Sequence, residues 1–293
     1  MKDKSKGYRI FSICNYILLS MIALACLYPF YYVVAASFSN PEALMRHQGL
    51  LLFPLQEMTL DGYDMVFNNE LVLSGFANTF FVLVVGLIFN MVLTVIGAYV
   101  LSLKDLMLRR PLTLFIIVTM YFSGGLIPTY LNIKNLGMLD SLWSLIIPGA
   151  IATSNLIIMR SAFMAVPEAL SEAARIDGAS HVQILFQIML PLVKATLAVM
   201  VLYYGVSHWN SWFNASIYLR TPSQYPLQLV LRNILVESQT GDMMQDIGAA
   251  RSPQVQQLIK YALIVVSSVP IIVVYPFLQR FFQKGVMIGA VKG

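Results

Sequence analysis

The sequence predicts an all-α membrane protein with six transmembrane helices and both termini on the cytoplasmic side. Three observations point there. First, apolar residues make up 58% of the 293 residues and charged residues only 11%, with a mean hydropathy of +0.72. A soluble domain carries about a quarter charged residues, and a core of this size cannot hide so much apolar surface. Second, six apolar runs, at about 11–38, 71–103, 112–130, 142–159, 186–213 and 261–278, approach or exceed the roughly 20 apolar residues a bilayer core demands. Third, lysine and arginine are distributed unevenly. With the N-terminus inside, twelve (Lys2, Lys4, Lys6, Arg9, Lys104, Arg109, Arg110, Arg160, Arg175, Arg280, Lys284, Lys292) are cytoplasmic and six (Arg46, Lys134, Arg220, Arg232, Arg251, Lys260) lie outside, as the positive-inside rule requires.

Five of the six runs contain no Asp, Glu, Lys or Arg. The fifth holds Lys194 near its cytoplasmic end, where the side chain can snorkel. The first run is long and no small-residue cleavage site closes it, so it reads as a span and not as a signal peptide. Its two cysteines, Cys14 and Cys26, are twelve residues apart on one helix, too far to bridge. Ser123-Gly124-Gly125 and Pro128 interrupt the third run and predict local unwinding. The fourth and sixth are near the lower length limit, and the fourth carries Pro148-Gly149. Outside, 220–257 is too long for a simple connector. Pro226 there starts a helix with Leu227, Val230, Leu231, Ile234 and Leu235 on one face, and Glu237–Arg251 is polar enough to reach an external protein. The whole chain, 1–293, reads as one transmembrane domain.

Residues 160–191 form the cytoplasmic loop between runs four and five. Pro167 and Glu168 suit a helix start. Ala169, Leu170, Ala173 and Ile176 then recur at helical spacing as a stripe of small and aliphatic side chains. Gly178 fits a helix-ending position with positive φ, and Ser180 with Gln183 makes a capping box that restarts the chain as a second helix. Two small alanines, Ala173 and Ala174, permit close approach of a partner's backbone. Asp177 opposes the helix dipole; it is a solvated turn residue, a cap of the next helix, or a polar docking contact. Glu172 either pairs with Arg175 three residues on or docks.

The pattern Glu172-Ala173-Ala174-x3-Gly178-x9-Ile188-x-Leu190-Pro191 resembles the "EAA" loop by which permease subunits of ABC importers dock onto their ATPases. Residues 160–178, Tyr28-Pro29-Phe30 and the closing 285–293 resemble the carbohydrate, maltose-permease-like importers. The closing segment and Trp209-Asn210-Ser211-Trp212-Phe213 resemble the branch for complex oligosaccharides and polysaccharide fragments. Ala169 departs from the pattern, where relatives often carry a second glutamate. The resemblance implies a bacterial plasma-membrane subunit with six helices around a translocation path and a second, homologous permease subunit. It also implies two cytoplasmic ATPases that hold ATP and Mg, and an extracytoplasmic solute-binding protein. Glu168, Glu172, Ala173, Ala174, Asp177, Gly178, Leu190 and Pro191 become the ATPase-coupling residues.

Other function classes fit less well. No G-x-x-x-x-G-K-[ST] phosphate loop is present, and no catalytic constellation or metal spacing links His47, His181 and His208. An ion-coupled secondary transporter needs an intramembrane ionisable group, which the centres of the runs lack. A channel needs a filter or a charged ring. Import of a non-sugar solute remains the alternative within the same family. The substrate-path candidates are the polar and aromatic residues Asn78, Asn155, His208, Trp209, Asn210 and Trp212. Asn90 and Thr94 lie deeper in the second run. The indole faces can stack on sugar CH groups, with Asn210 and His208 bonding hydroxyls. The competing reading of the tryptophans is an aromatic belt at the membrane surface.

Overall fold

The computed structural model describes residues 6–240, 259–274 and 276, and every regular element among them is helical. Two compact units emerge, Met1–Asn69 with Asn233–Val269, and Glu70–Arg232 with Pro270–Gly293.

In the first unit, α1 (Lys6–Ser37) is followed by the short helices α2 (Pro41–Arg46) and α3 (Asp61–Phe67). Asn40 caps α2 by accepting from the amides of Glu42 and Ala43, with Pro41 at the first position, where its missing N–H costs nothing. The intervening loop is sewn to the end of α1: Leu51 N–H donates to the Tyr28 hydroxyl (2.9 Å), and the Tyr31 hydroxyl donates to Leu52 O. Ala35, Ala36, Leu44 and Leu51 form a small core there. Cys14 and Cys26 are unpaired and exposed.

The second unit is built on α4 (Glu70–Ser102), whose 33 residues span about 50 Å. Around it come α5 (Arg109–Tyr121), α6 (Leu126–Asn135), α7 (Trp143–Ile146), α8 (Thr153–Met164), α9 (Glu168–Ile176), α10 (His181–Leu192), α11 (Lys194–Trp209) and α12 (Trp212–Tyr218). Helices α13 (Leu227–Thr240) and α14 (Ile259–Val274) each have residues in both units.

Among the described residues, only α1 and α4 are long and apolar enough to cross a bilayer as single helices; α5–α6 and α10–α11 pass the same test only as bent pairs. The runs expected at 112–130, 142–159 and 186–213 are therefore not continuous helices. The third breaks at 122–125, where Gly125 takes φ +87°, and α5 and α6 meet at 111°. The fourth breaks at Pro148-Gly149, leaving 147–152 outside any helix. The fifth bends by 86° at Val193, because its expected start lies inside α10. Proline cannot donate to the preceding turn, and ahead of Pro191 residues Ile184–Met189 open into a π-helix. The end of run six, the polar stretch from 241 and the closing 285–293 lie outside the described residues.

At the other end of this unit, Asp140 (φ +55°) fastens the turn after α12. Its carboxylate accepts from the Thr221 hydroxyl (2.6 Å) and from the amides of Arg220 (2.8 Å) and Thr221 (2.9 Å). These bonds, the hydroxyl first, hold its pKa below the usual carboxylate range. Asn78 donates to Ser223 O (2.8 Å) and Tyr225 O (3.2 Å), and Thr79 accepts from Leu227 N–H (2.9 Å). The expected Pro226-started helix is α13, with Leu227 and Val230 buried; Leu229 is buried too.

Candidate docking helix and translocation cavity

Helix α9 has two unlike faces. Ala174 is buried among Tyr99, Phe163, Ile184 and Met189. On the outward side Ala169, Leu170, Ala173 and Ile176 are exposed, Leu170 by 44% and Ile176 by 87%. An isoleucine held this far into water is unfavourable by about 1.5–3 kcal/mol relative to burial. Exposed apolar stripes of this kind are where a protein meets a partner or a membrane. Of the two alanines expected to meet a partner, only Ala173 faces out. Ala174 instead lets α9 sit close on its own core.

The end of α9 is closed as its sequence requires. Gly178 takes φ +84°, Ala179 N–H donates to Ala174 O (2.9 Å), and Gly178 N–H donates to Arg175 O (3.0 Å). This is the Schellman arrangement. The Ser180–Gln183 capping box then starts α10: Gln183 N–H donates to Ser180 Oγ, and Ser180 N–H to Gln183 Oε1 (2.7 Å). Glu172, Asp177, Gly178 and Pro191 are exposed and Leu190 is half-buried. Arg175 pairs with Asp105 (3.0 Å), not with Glu172, and Glu168 pairs with Lys104.

Deeper in the same unit lies a cavity of about 740 Å³. One wall is the unwound segment with the start of α8 (Pro148, Gly149, Ala152, Ser154, Asn155). The other is α11, the turn after it and the start of α12 (Tyr203, Tyr204, Ser207, His208, Ser211, Asn214). Among the described residues its lining holds hydroxyls, amides and apolar side chains and no Asp, Glu, Lys or Arg, chemistry suited to hydrogen bonding a polyhydroxylated surface. The buried Ser211 Oγ has no hydrogen-bond partner among the described residues.

Of the substrate-path candidates, Asn155 and His208 line this cavity. The others do not. Asn78 is occupied with the 223–225 backbone. Trp209 is buried edge-on against Phe80 (6.1 Å between centroids) and faces a separate apolar groove with Pro270 and Val274. Asn210 and Ser211 break the helix, so Trp209 and Trp212 do not share a continuous face. Trp212, 38% exposed, packs on Phe213 and under the Arg232 guanidinium at 4.8 Å.

No family model matches the chain. It is 41% identical over 97% of its length to the polygalacturonan/rhamnogalacturonan transport system permease protein YtcP of Bacillus subtilis (strain 168), covering 99% of that protein. The chain belongs to the carbohydrate ABC-importer permeases. It is also 27% identical over 94% of its length to the arabinooligosaccharides permease AraQ of Halalkalibacterium halodurans, covering 94% of that protein. Among solved structures, it matches a chain of a bacterial ABC transporter involved in the import of the acidic polysaccharide alginate. There the TM-score is 0.86 and the identity 34%, over 96% of this chain and 100% of that one. As an ABC permease it is a membrane-embedded transport component of an import system.

Sequence reading of this permease missed Tyr203, Tyr204, Ser207 and Asn214. A legible trace of them existed: Tyr204 and His208 are four apart, as are Asn90 and Thr94, and such pairs share a helix face.

Proposed function

We propose that this permease forms one half of the translocation path of a binding-protein-dependent importer for oligosaccharides released from polysaccharides, uronate-bearing ones included. The outward apolar stripe of α9, on a helix whose C-terminal end is closed by Gly178, carries the reading: it is the surface that one of two cytoplasmic ATPases grips. A second, homologous permease completes the path, and an external binding protein delivers the sugar. ATP and Mg belong to the ATPases, and this chain catalyses nothing itself. Six spans with both termini inside follow from the charge bias, with the broken runs each counted as one crossing. The aromatic and amide groups of the wall bond sugar hydroxyls, and a wall without carboxylates presents no like charge to a uronate. YtcP's name and the alginate importer support this substrate class.

The test is ATPase stimulation of the purified complex by binding protein incubated with oligogalacturonides, alginate oligosaccharides, maltodextrin or amino acids. Stimulation of at least several-fold by one or more of the oligosaccharides is expected. Stimulation by amino acids alone would overturn the substrate class.

A further inference from the structure

Two sets of polar contacts sit on α4, one at each side of its cytoplasmic half. The inner set lies within the bundle. Asn90 and Thr94 are fully buried, four residues apart on one face of α4. Asn90 Nδ2 donates to Gly149 O (2.8 Å) and Ala150 O (2.9 Å), and its Oδ1 accepts from His208 Nε2 (2.6 Å). The Tyr204 hydroxyl bonds Thr94 Oγ1 (2.7 Å) and accepts from Ala152 N–H (3.1 Å). The unwound segment 149–152 has lost its helical hydrogen bonds, and these two side chains of α4, directly or through Tyr204, replace them. That segment is a cavity wall.

The outer set ties the end of α4 to the docking region. The Tyr99 hydroxyl bonds His181 Nδ1 at 3.0 Å, and Arg160 Nε donates to Leu101 O (3.0 Å). Just past the helix, Lys104 pairs with Glu168 and Asp105 with Arg175 (3.0 Å). Four ties join this end to α8, α9 and α10, and only nine residues, about 13 Å of helix, separate Tyr99 from Asn90.

We propose that Asn90, Thr94 and Tyr204 are positioning residues that clamp the 149–152 cavity wall to the same rod that carries the docking helix. Movement of α9 therefore reaches the wall through α4, and the cavity changes shape with the state of the ATPase. A rigid element whose equilibrium both sites bias is the physical requirement for such coupling. The inference rests on the docking role proposed for α9, and its test separates the two.

The experiment compares wild type with Thr94→Val, Thr94→Ser and Tyr204→Phe in the purified complex. One readout is backbone amide exchange at 149–152 with and without a non-hydrolysable ATP analogue and Mg. The other is the ratio of stimulated to basal ATPase with oligogalacturonide-loaded binding protein. In wild type the nucleotide changes exchange at 149–152. Thr94→Val removes that response and lowers the ATPase ratio at least threefold with basal ATPase unchanged; Thr94→Ser, which keeps the hydroxyl, restores both. Tyr204→Phe has the larger effect, since Ala152 N–H loses its acceptor as well, and adding Thr94→Val to it changes nothing further. A nucleotide response that persists in Thr94→Val, or a Thr94→Ser protein as impaired as Thr94→Val, overturns the clamp. Absence of sugar stimulation in wild type counts against the substrate reading only, because the exchange comparison needs no sugar. No nucleotide response in wild type sinks the transmission claim itself.

Discussion

Replacing Ile176 by aspartate is expected to abolish uptake while leaving membrane yield and thermal stability unchanged. The side chain is 87% exposed, so folding of the subunit has nothing to lose there. Docking loses the burial of an isoleucine, about 1.5–3 kcal/mol, and must in addition desolvate a carboxylate. Together these exceed about 3 kcal/mol, which is at least two orders of magnitude in affinity. Co-purification of the ATPase with the permease, quantified against wild type, checks the result. Glu172→Lys should act in the same direction, because Arg175 is engaged by Asp105 and Glu172 is available to a partner's charge. Ile176→Asp protein that retains its ATPase and transports normally would remove the stripe from the docking surface.

The second large effect is expected deep in the bundle. A Cβ at Gly86 would lie 2.6 Å from His208 Nε2 and 2.7 Å from Cε1. The ring cannot swing aside freely, since its Nε2–H is held by Asn90 Oδ1 at 2.6 Å. Gly86→Val must therefore break that bond or push the helices apart. Overpacking costs about 1–3 kcal/mol, and a buried polar group left unpaired costs a further 1–3 kcal/mol or so. A sharp fall in detergent-stable protein and in its thermal midpoint is expected. Gly205→Ala provides the control: its Cβ would meet only Leu83 Cδ1 at 3.8 Å, an ordinary contact, and the protein should be unaffected. Removing the obstruction with His208→Ala should recover part of the yield lost in Gly86→Val. If Gly86→Val is as stable as Gly205→Ala, the packing of His208 against α4 is not as described.

The 160–191 loop was legible because its determinants are local. A glycine that must take positive φ, a Ser-x-x-Gln cap and the spacing of small residues act over four to ten positions, and each appears where the sequence places it. Which alanine faces inward was not legible, because that depends on how α9 rolls onto Tyr99 and Phe163, which lie elsewhere in the chain. Hydropathy located the apolar runs but not their breaks. It sums over a window, so the bend at Val193 is averaged away; the break at Gly125 was announced instead by Ser123-Gly124-Gly125 and Pro128, and the one at 147–152 by Pro148-Gly149. The break at Asn210-Ser211 undid the expectation that Trp209 and Trp212 share a path-lining face: the first ring is packed on Phe80 and the second sits under Arg232. Asn78 resembled a path residue for a similar reason, since its partners, the carbonyls of Ser223 and Tyr225, are some 145 residues away.

The central claim is that the outward face of α9 is the ATPase docking surface, and single-cysteine cross-linking tests it most directly. Cys14 and Cys26 are exposed and are first replaced by serine. Cysteines are then introduced singly at Leu170, Ala173, Ala174 and Ile176 in the assembled complex, and a short bifunctional reagent is applied. Cross-linking to the ATPase subunit from 170, 173 and 176, with little from the inward-facing 174, is the expected pattern. A complex in which none of the three outward positions reaches the ATPase, or in which 174 does so as well as 176, would contradict it.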